Sequence, residues 1–354
     1  MDATISTSEG DRRRAGPDDV ANALEAGYFF WLDLTVDSEG GDQVSHLLRD
    51  VFEFHPLAVE DAEHFGQRPK YDDYDDFGHM VVYGAGDQGS TPQEVHVFVA
   101  SDFVVTLHRG PCQSLDAVHR RIARHHLGSP GASAAASDAA GAGPAEGAGP
   151  AAGADARRPS MVVVYLVVDA LTDSFFPVLS TFDDKIDNLE TSILEHPTEA
   201  QLGEIFAMKR QLLGIRKVVG PQRDMFAAIT SGVAVLPGMT EEGERYFRDL
   251  YDHLIRIGDM VDGYRDLVSG AMDTHLSTVS NRLNVVMKQM AIIATVFLPL
   301  SFLTGFFGQN FSWLVDHIGG FPTFLGVGIG LEVVAAVLLL VVFKRRGWLG
   351  GPTA

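Results

Sequence analysis

Cysteine and positive charge are both scarce in this sequence of 354 residues. The single cysteine, Cys112, excludes an intrachain disulfide and is typical of a protein kept in a reducing compartment. Lys and Arg total 27 against 47 Asp and Glu, so the formal net charge is −20. Because nucleic-acid binding needs clustered basic side chains, we expect no nucleic-acid partner and instead a protein that meets cations. The opening "MDATISTSEGDRRRAGPDD" has no apolar run after its arginines, so it is not a secretory signal.

Charge is also missing from two long segments near the C-terminus. Met290 to Phe307 contains 18 residues without a charge, and Phe321 to Phe343 contains 23 residues with one charge, Glu332. Each segment is long enough to cross about 30 Å of hydrocarbon as a helix. The sequence therefore predicts two transmembrane helices, 290–307 and 321–343. A pair of buried core helices is the alternative.

The distribution of basic residues around these segments predicts their orientation. Arg282 and Lys288 precede the first segment, and "KRR" at 344–346 follows the second. The connecting residues 308–320 contain no Lys or Arg. The positive-inside rule then places both chain ends in the cytoplasm and the 308–320 loop outside. We expect a plasma-membrane protein that crosses the bilayer twice, with a basic cytoplasmic tail over 344–354.

The rest of the chain divides by composition and periodicity. Residues 1–16 are expected to be disordered. Residues 17–170 read as a cytoplasmic α/β domain, since strand-like runs such as "EVHVFVA" alternate with helical pieces. Residues 128–156 are almost entirely Ala, Gly, Ser and Pro, which predicts a flexible insertion. "MVVVYLVVDAL" then reads as another strand, and residues 171–239 as an antiparallel helical hairpin.

The longest uninterrupted helical pattern begins after this hairpin. Within the hairpin, Pro197 breaks one helix and Thr198 can cap the next. Residues 240–307 then predict one helix, a stalk that continues into the first membrane segment and contains a single proline, Pro299. Such a helix is about 100 Å long, far more than a membrane crossing. We expect it to pack beside copies of itself.

One face of this helix carries small, polar or flexible residues at spacings of three and four. We call this face the seam. Small residues on one face favour close helix packing, whereas polar residues on it favour the lining of a water-filled pore, and both readings stay open. The seam consists of Asn284, Met287, Ala291, Ala294, Leu298, Ser301, Gly305 and Gly308.

Three stretches resemble the CorA family of divalent-cation channels. "NRLNVVMKQMAIIATVFLPLSFLTGFFGQNF" resembles the family's first membrane helix and the aromatic-Gly-Met-Asn motif that ends it. "HPLAVEDAEHFGQRPKYDDYDDF" resembles its cytoplasmic signature, and "KRRGWL" its basic tail. The resemblance extends from Tyr28 to Leu349, apart from the Ala/Gly-rich insertion.

The resemblance implies a homopentameric funnel in lipid, with first membrane helices around a pore and second helices as an outer ring. The function implied is magnesium uptake, with cobalt or nickel as further candidates. Magnesium is then both the transported and the regulatory ion, and neither an organic cofactor nor an enzymatic activity is expected. The implied sites are a selectivity filter at Gly308, Gln309 and Asn310, an inner constriction at Met287 and Met290, and a basic collar at Lys344, Arg345 and Arg346.

Two residues depart from the family pattern. Gln309 stands where the family usually has methionine, and the ZntB-like zinc branch also varies this position. A zinc or proton-coupled carrier is therefore the alternative within transport. Glu332 belongs to no family motif, and an acid inside a membrane segment is either functional or neutral and bonded to a neighbouring helix.

The resemblance also implies regulatory magnesium sites between subunits, at Glu60, Asp61 and Asp249. The structural alternative is that Asp61 caps a helix and Asp249 forms a surface ion pair. Two functions outside transport also stay open at this point. His55, Asp61 and His64 could form a metal or acid–base cluster of a membrane-anchored enzyme, although they lack an established catalytic spacing. A non-conducting sensor or scaffold would need neither the seam nor the filter.

Overall fold

A computed structural model describes residues 2–7, 12–36, 41–86, 91–125, 159–309, 312–317 and 319–348. The insertion expected over 128–156 lies outside these residues. The chain divides into two units. The first comprises residues 1–191 and 198–272, and the second comprises 192–197 and 273–354.

The first unit contains a seven-stranded mixed sheet of order β2-β1-β3-β7-β6-β5-β4. Strands β3 and β7 are parallel, with Leu32 beside Val105, and every other neighbouring pair is antiparallel. Parallel pairing places the carboxyl ends of β3 and β7 at one edge of the sheet. The strands are Asp2–Thr7 (β1), Arg12–Arg14 (β2), Phe30–Val36 (β3), Lys70–Tyr74 (β4), Phe77–Ala85 (β5), Pro92–Val99 (β6) and Phe103–Arg109 (β7).

The N-terminal residues are part of this sheet, so the expectation that residues 1–16 are disordered is wrong for the described part. β1 pairs antiparallel with the buried strand β3, with Ala3 opposite Leu34 and Ile5 opposite Leu32. Ala3 and Ile5 alternate with more exposed neighbours and are buried. A strand this polar is ordered because a buried partner strand satisfies its backbone groups and takes up its two apolar side chains.

Helices cover both faces of the sheet. One face packs against α1 (Pro17–Ala26), α2 (Gly41–His46, continued as a π-helix over Leu47–Val51) and α3 (Pro56–Glu63). The other face contacts α4 (Gln113–His125) and α5 (Pro159–Asp173), and the Trp31 ring stacks on His119 of α4. Alternate residues of β3 therefore serve two different cores.

The segment "MVVVYLVVDAL", predicted as a strand, is helical and lies within α5. Eleven of the residues of α5 are buried, so its apolar residues occupy every side of the helix and leave no helical period in the sequence. The boundary expected at residue 170 consequently falls inside α5.

The helices that follow α5 match the predicted breaks. α6 (Phe175–Glu195) ends before Pro197, and α7 (Glu199–Thr230) begins after Thr198. The Thr198 side chain accepts a hydrogen bond from the backbone nitrogen of Gln201, and the Gln201 side-chain oxygen accepts one from the backbone nitrogen of Thr198. This reciprocal pair is a capping box. α8 (Glu241–Phe307) is one helix of 67 residues with Pro299 inside it.

The second unit contains the C-terminal part of α8, a short helix α9 (Ser312–His317) and α10 (Phe321–Arg345), which includes a π-helical turn over Phe324–Ile329. In the described residues, three stretches are long and apolar enough to cross a membrane: α5 with α6, α8, and α10. The apolar window of the first is 61% buried in the protein, whereas those of α8 and α10 are 0% buried. Of these three stretches in the described residues, only α8 and α10 leave their apolar windows uncovered by the rest of the protein.

Candidate functional site

The apolar part of α8 has one half-buried side. Partial burial recurs at Lys288, Ile292, Val296, Leu303 and Phe307, a spacing that follows one side of a helix. Lys288 Nζ donates to the carbonyl oxygen of Gly347 at 3.4 Å, just beyond the C-terminal end of α10. Residues of the same chain therefore contact this side of α8.

The seam lies on the opposite side and is exposed along its whole length, from Asn284 to Gly308. The Met287 side chain is 60% exposed and that of Leu298 is 73% exposed. Met290, expected at the inner constriction, is exposed as well. The close-packing reading of the seam therefore does not apply within one chain, because α10 contacts a different side of α8. The seam is free for a partner helix or for water.

The seam ends at a tight turn. The backbone nitrogen of Gly308 donates to the carbonyl oxygen of Thr304 at 2.9 Å, and that of Gln309 donates to Phe306 at 3.3 Å. A Cβ atom on Gly308 would lie 3.0 Å from the Thr304 carbonyl oxygen, so a larger residue would push against the turn. Gly308 and Gln309 are exposed, while Asn310 lies outside the described residues. We call Gly308 and Gln309 the entrance turn, and Asn310 follows them in the sequence.

The basic tail is held against the end of α10. Lys344 and Arg345 form the last turn of α10, and Arg346 follows with its backbone nitrogen bonded to Val342. The chain then reverses at Gly347, whose φ of +69° favours glycine. The Trp348 ring stacks on Phe343 with ring centroids 5.6 Å apart. The three basic side chains thus project from an ordered helix end.

Asp61 does not cap α3. His55 occupies the N-cap position and accepts a hydrogen bond from the backbone of Leu57 at 3.3 Å. Asp61 instead forms an ion pair with Lys70 at 2.6 Å, and Lys70 also pairs with Asp72 at 2.7 Å. The helix-cap alternative for Asp61 is therefore wrong. The neighbouring Glu60 is exposed.

Asp249, on α8, belongs to a partly buried group of acidic residues. It does not form a simple surface ion pair. Oxygen or nitrogen atoms of Asp169, Asp249 and His253 lie within 4.8 Å of one another. Buried oxygens of Asp169 and Asp249 have no hydrogen-bond partner. His253 Nδ1 lies 3.1 Å from an oxygen of Asp173. Two carboxylates and an imidazole at this spacing could hold a divalent cation.

Burial and mutual repulsion shift the titration of this cluster. Burial and the neighbouring Asp173 raise the pKa of Asp169 to about 7. Burial also raises the pKa of Asp249, and the hydrogen bond with Asp173 raises that of His253. Sequence reasoning found Asp249 but missed its partners. His253 could have been found, because it follows Asp249 by four residues on a helix.

The residues considered for an enzyme do not form one constellation. His55 stacks on Tyr74, with ring centroids 5.1 Å apart. His64 Nδ1 contacts the backbone oxygen of Glu60 at 2.9 Å. Asp61 forms an ion pair with Lys70. Each side chain thus has its own local partner, and the acid–base cluster is not formed.

The chain is similar to known transport proteins. The family model "CorA-like Mg2+ transporter protein" matches residues 26–136 and 153–345. The chain is 32% identical to the cobalt/magnesium transport protein CorA of Thermotoga maritima, over 85% of this chain and 78% of that protein. It is 28% identical to the zinc transport protein ZntB of Yersinia pseudotuberculosis, over 52% and 53% of the two chains. The CorA magnesium transporter structure from Methanocaldococcus jannaschii aligns with a TM-score of 0.76 at 18% identity, covering 99% of both chains. The chain belongs to the CorA-like family and is a divalent-cation transporter, not an enzyme.

Proposed function

We propose that the chain forms a homopentameric channel for hydrated Mg²⁺, with the seam of α8 lining the pore and the entrance turn and Asn310 selecting the ion. The single observation that carries the proposal is the exposure of the seam on the side of α8 opposite its contacts with α10. A face that mixes Asn284 and Ser301 with small residues is costly against lipid and favourable against water.

Membrane placement follows from the same helices. α8 and α10 are the two spans, with the 308–320 loop outside and both chain ends in the cytoplasm. Lys344, Arg345 and Arg346 then surround the cytoplasmic mouth of the pore. Met287 and Met290, both exposed on α8, form its narrow apolar section. Such a constriction can close by excluding water.

The entrance turn and Asn310 have the chemistry for a hydrated ion. Mg²⁺ releases its water reluctantly, so a filter that accepts hydrogen bonds from the water shell avoids the cost of dehydration. Amide oxygens of Asn310 and carbonyl oxygens of Gly308 are such acceptors. A ring of carboxylates would bind the ion too strongly for fast release.

Internal Mg²⁺ controls opening through the acidic residues of the first unit. Asp249 with Asp169 and His253 supplies oxygen and nitrogen ligands. Glu60 and Asp61 are the further ligands that the family resemblance implies, and Asp61 would have to leave its ion pair with Lys70 to serve as one. Without a cation, the carboxylates repel one another, which loosens the contacts between subunits. A bound ion would remove this repulsion and favour the closed state.

The test is ion uptake into liposomes by the purified full chain and two variants, at matched pentamer content. Asn310→Ala should lower Mg²⁺ uptake by about tenfold or more, the effect of losing roughly 1.4 kcal/mol of ion stabilisation. Gln309→Met is the matched variant at the neighbouring position, and it should retain uptake. Parental uptake in Asn310→Ala would move the filter to the seam between Asn284 and Ser301.

Zinc transport is the second candidate. Gln309 replaces the methionine that is usual in the family motif, and part of the chain is similar to a zinc transport protein. Uptake of Mg²⁺, Co²⁺, Ni²⁺ and Zn²⁺ should be compared with and without a pH gradient. A preference for Zn²⁺ that depends on the gradient would favour this candidate over Mg²⁺.

A further inference from the structure

Glu332 is the one charged residue between Phe321 and Phe343, and it lies on the half-buried side of α10. Partial or full burial recurs along α10 at Gly328, Glu332, Ala336, Leu339 and Phe343, which is helical spacing. An acid at membrane depth is costly unless it finds a polar partner. The partner is expected on the helix that α10 faces.

That partner is Thr304 on α8. Thr304 Oγ1 lies 2.7 Å from Glu332 Oε1. The same hydroxyl lies 2.9 Å from the carbonyl oxygen of Leu300, one turn earlier on α8. The contact therefore joins the two apolar helices of the second unit through side chains.

The Thr304 hydroxyl lies between two acceptors. A threonine hydroxyl has one proton to donate and can also accept. That proton is within reach of both Glu332 Oε1 and the Leu300 carbonyl oxygen. Thr304 thus offers the Glu332 carboxyl a polar partner inside an apolar segment, where an acid without such a partner is costly.

Glu332 has no charged counterpart in the two apolar segments. The apolar part of α8, Met290–Phe307, contains no titratable side chain, and Glu332 is the one in Phe321–Phe343. An ion pair between the two segments is therefore excluded, and the polar side chain that meets Glu332 is the hydroxyl of Thr304.

Thr304 connects this contact to the entrance turn. Its carbonyl oxygen accepts the hydrogen bond from the Gly308 backbone nitrogen at 2.9 Å. Thr304 precedes the seam residue Gly305, and successive residues of a helix point about 100° apart. The contact to α10 is thus made beside the seam and leaves the seam free.

We propose that Glu332 and Thr304 form a hydrogen-bonded bridge between α10 and α8 that holds the entrance turn in position. Glu332 acts here as a positioning residue, because it contacts Thr304 and not the ion. The proposal rests on the proposed function in one respect, namely that the turn held by the bridge belongs to the filter.

The experiment compares two pairs of variants in the full chain. Glu332→Gln keeps a donor and an acceptor but cannot ionise, and Thr304→Ser keeps the hydroxyl. Glu332→Ala and Thr304→Val remove these groups. We expect Glu332→Gln and Thr304→Ser to retain Mg²⁺ uptake, and Glu332→Ala and Thr304→Val to lose about tenfold, with a double variant no worse than either. Val334→Ala, at an exposed position of α10, is the control and should match the parent.

Two readouts separate positioning from a general loss of structure. The first is rescue by the conservative variant: at equal assembly, Thr304→Ser should transport about tenfold faster than Thr304→Val, because only serine restores the hydroxyl. The second is infrared difference spectroscopy, in which the Glu332 carboxyl band should be absent in Glu332→Gln and shifted in Thr304→Val. If Glu332→Ala fails to assemble, the comparison of Thr304→Val with Thr304→Ser decides.

The outcomes distinguish the two proposals. A Glu332 carboxyl band that shifts in Thr304→Val, in a parent that takes up no cation, contradicts the proposed function and leaves the bridge intact. A band that is unchanged in Thr304→Val overturns the bridge, and so does parental uptake in both Glu332→Ala and Thr304→Val. Loss of uptake in Glu332→Gln equal to that in Glu332→Ala would mean that the negative charge is required, which also overturns it.

Discussion

Asp249 illustrates how much a single residue depends on partners that are distant in sequence. Its carboxyl group shares a half-buried site with Asp169 and His253, and burial raises the pKa of both acids. Charged carboxylates without a counter-charge are unfavourable in such a site. A divalent cation would supply that charge and would bind the folded protein in preference to the unfolded chain.

We therefore predict that Asp249→Asn weakens the protection that Mg²⁺ gives against proteolysis of α8. The variant removes one anionic ligand, and affinity for a hard cation falls with the number of charged oxygens. The measurement is the rate of limited proteolysis of the purified full chain as Mg²⁺ is increased. The variant should need about tenfold more Mg²⁺ for half-protection, equivalent to roughly 1.4 kcal/mol.

Asp252→Asn is the matched control for this prediction. Asp252 is an exposed acid on the same turn of α8 and lies outside the cluster. The Asp252→Asn variant loses the same charge but no ligand of the cluster. Mg²⁺ should therefore protect its α8 against proteolysis as it does in the parent. Mg²⁺-dependent protection in Asp249→Asn that equals the parental curve would exclude Asp249 from the regulatory site.

At the level of elements, buried contacts between an aspartate and two histidines connect β3, β7 and α4. Asp33 on β3 lies 3.3 Å from His108 Nε2 on β7 and 3.1 Å from His119 Nε2 on α4. Thr106 also donates to Asp33, at 2.6 Å. Burial opposes the charge on Asp33, but the two histidines hold its pKa well below the usual range. Burial likewise opposes the charge on His108, yet Asp33 raises its pKa above 6.5.

These shifts predict the pH dependence of stability. The Asp33 contribution is present above its unfolded pKa and is lost only as pH falls through its low folded pKa. The His108 contribution is complete below about 6.5 and is lost as pH rises through its raised folded pKa. The unfolding midpoint of the detergent-solubilised chain should therefore fall as pH is raised from about 6 to about 9.

His108→Gln should remove much of this slope and lower stability by about 1–3 kcal/mol, because it leaves the buried Asp33 short of a charged donor. The midpoint of thermal unfolding across the same pH range is the measurement. His64→Gln, which replaces an exposed histidine, serves as the comparison and should keep the parental slope. A His108→Gln slope identical to the parental one would refute this role.

The elements also reveal which features of the fold the sequence could predict. The break at Pro197, the cap at Thr198 and the single helix that includes Pro299 follow from local chemistry and were predicted. β1 and α5 were not. β1 depends on pairing with β3, and α5 is surrounded by other elements, so in both cases tertiary contacts override the local pattern.

The candidate site also has features that the sequence could predict and features that it could not. The seam could be read from spacing because a helix converts intervals of three and four into one face. The contact of Thr304 with Glu332 could not, since 28 residues and a reversal of the chain separate them. Periodicity predicts faces, but it does not predict which residues on two faces meet.

For the whole molecule, the open question is what covers the stalk. Upstream of the apolar segment, exposed apolar residues recur on α8 at Leu276, Val279, Leu283 and Val286. This is the spacing of a coiled-coil stripe. Arg282 and Lys288 lie within the same stretch, which is more polar than a membrane span. Neither lipid nor, in the described residues, the chain itself covers this stripe, so copies of α8 are the expected occupants.

We predict that the protein in mild detergent has a native mass of about five times the 38.3 kDa chain, the number that the family resemblance implies. Leu283→Asp places a charge in the stripe and should shift the population toward smaller species, because burying an unpaired charge between helices is costly. Asn281→Asp adds the same charge on the opposite side of α8 and should leave the mass unchanged. Native mass spectrometry or light scattering measures both variants. A monomer or dimer in the parent, or a Leu283→Asp variant as large as the parent, would contradict assembly through this stripe.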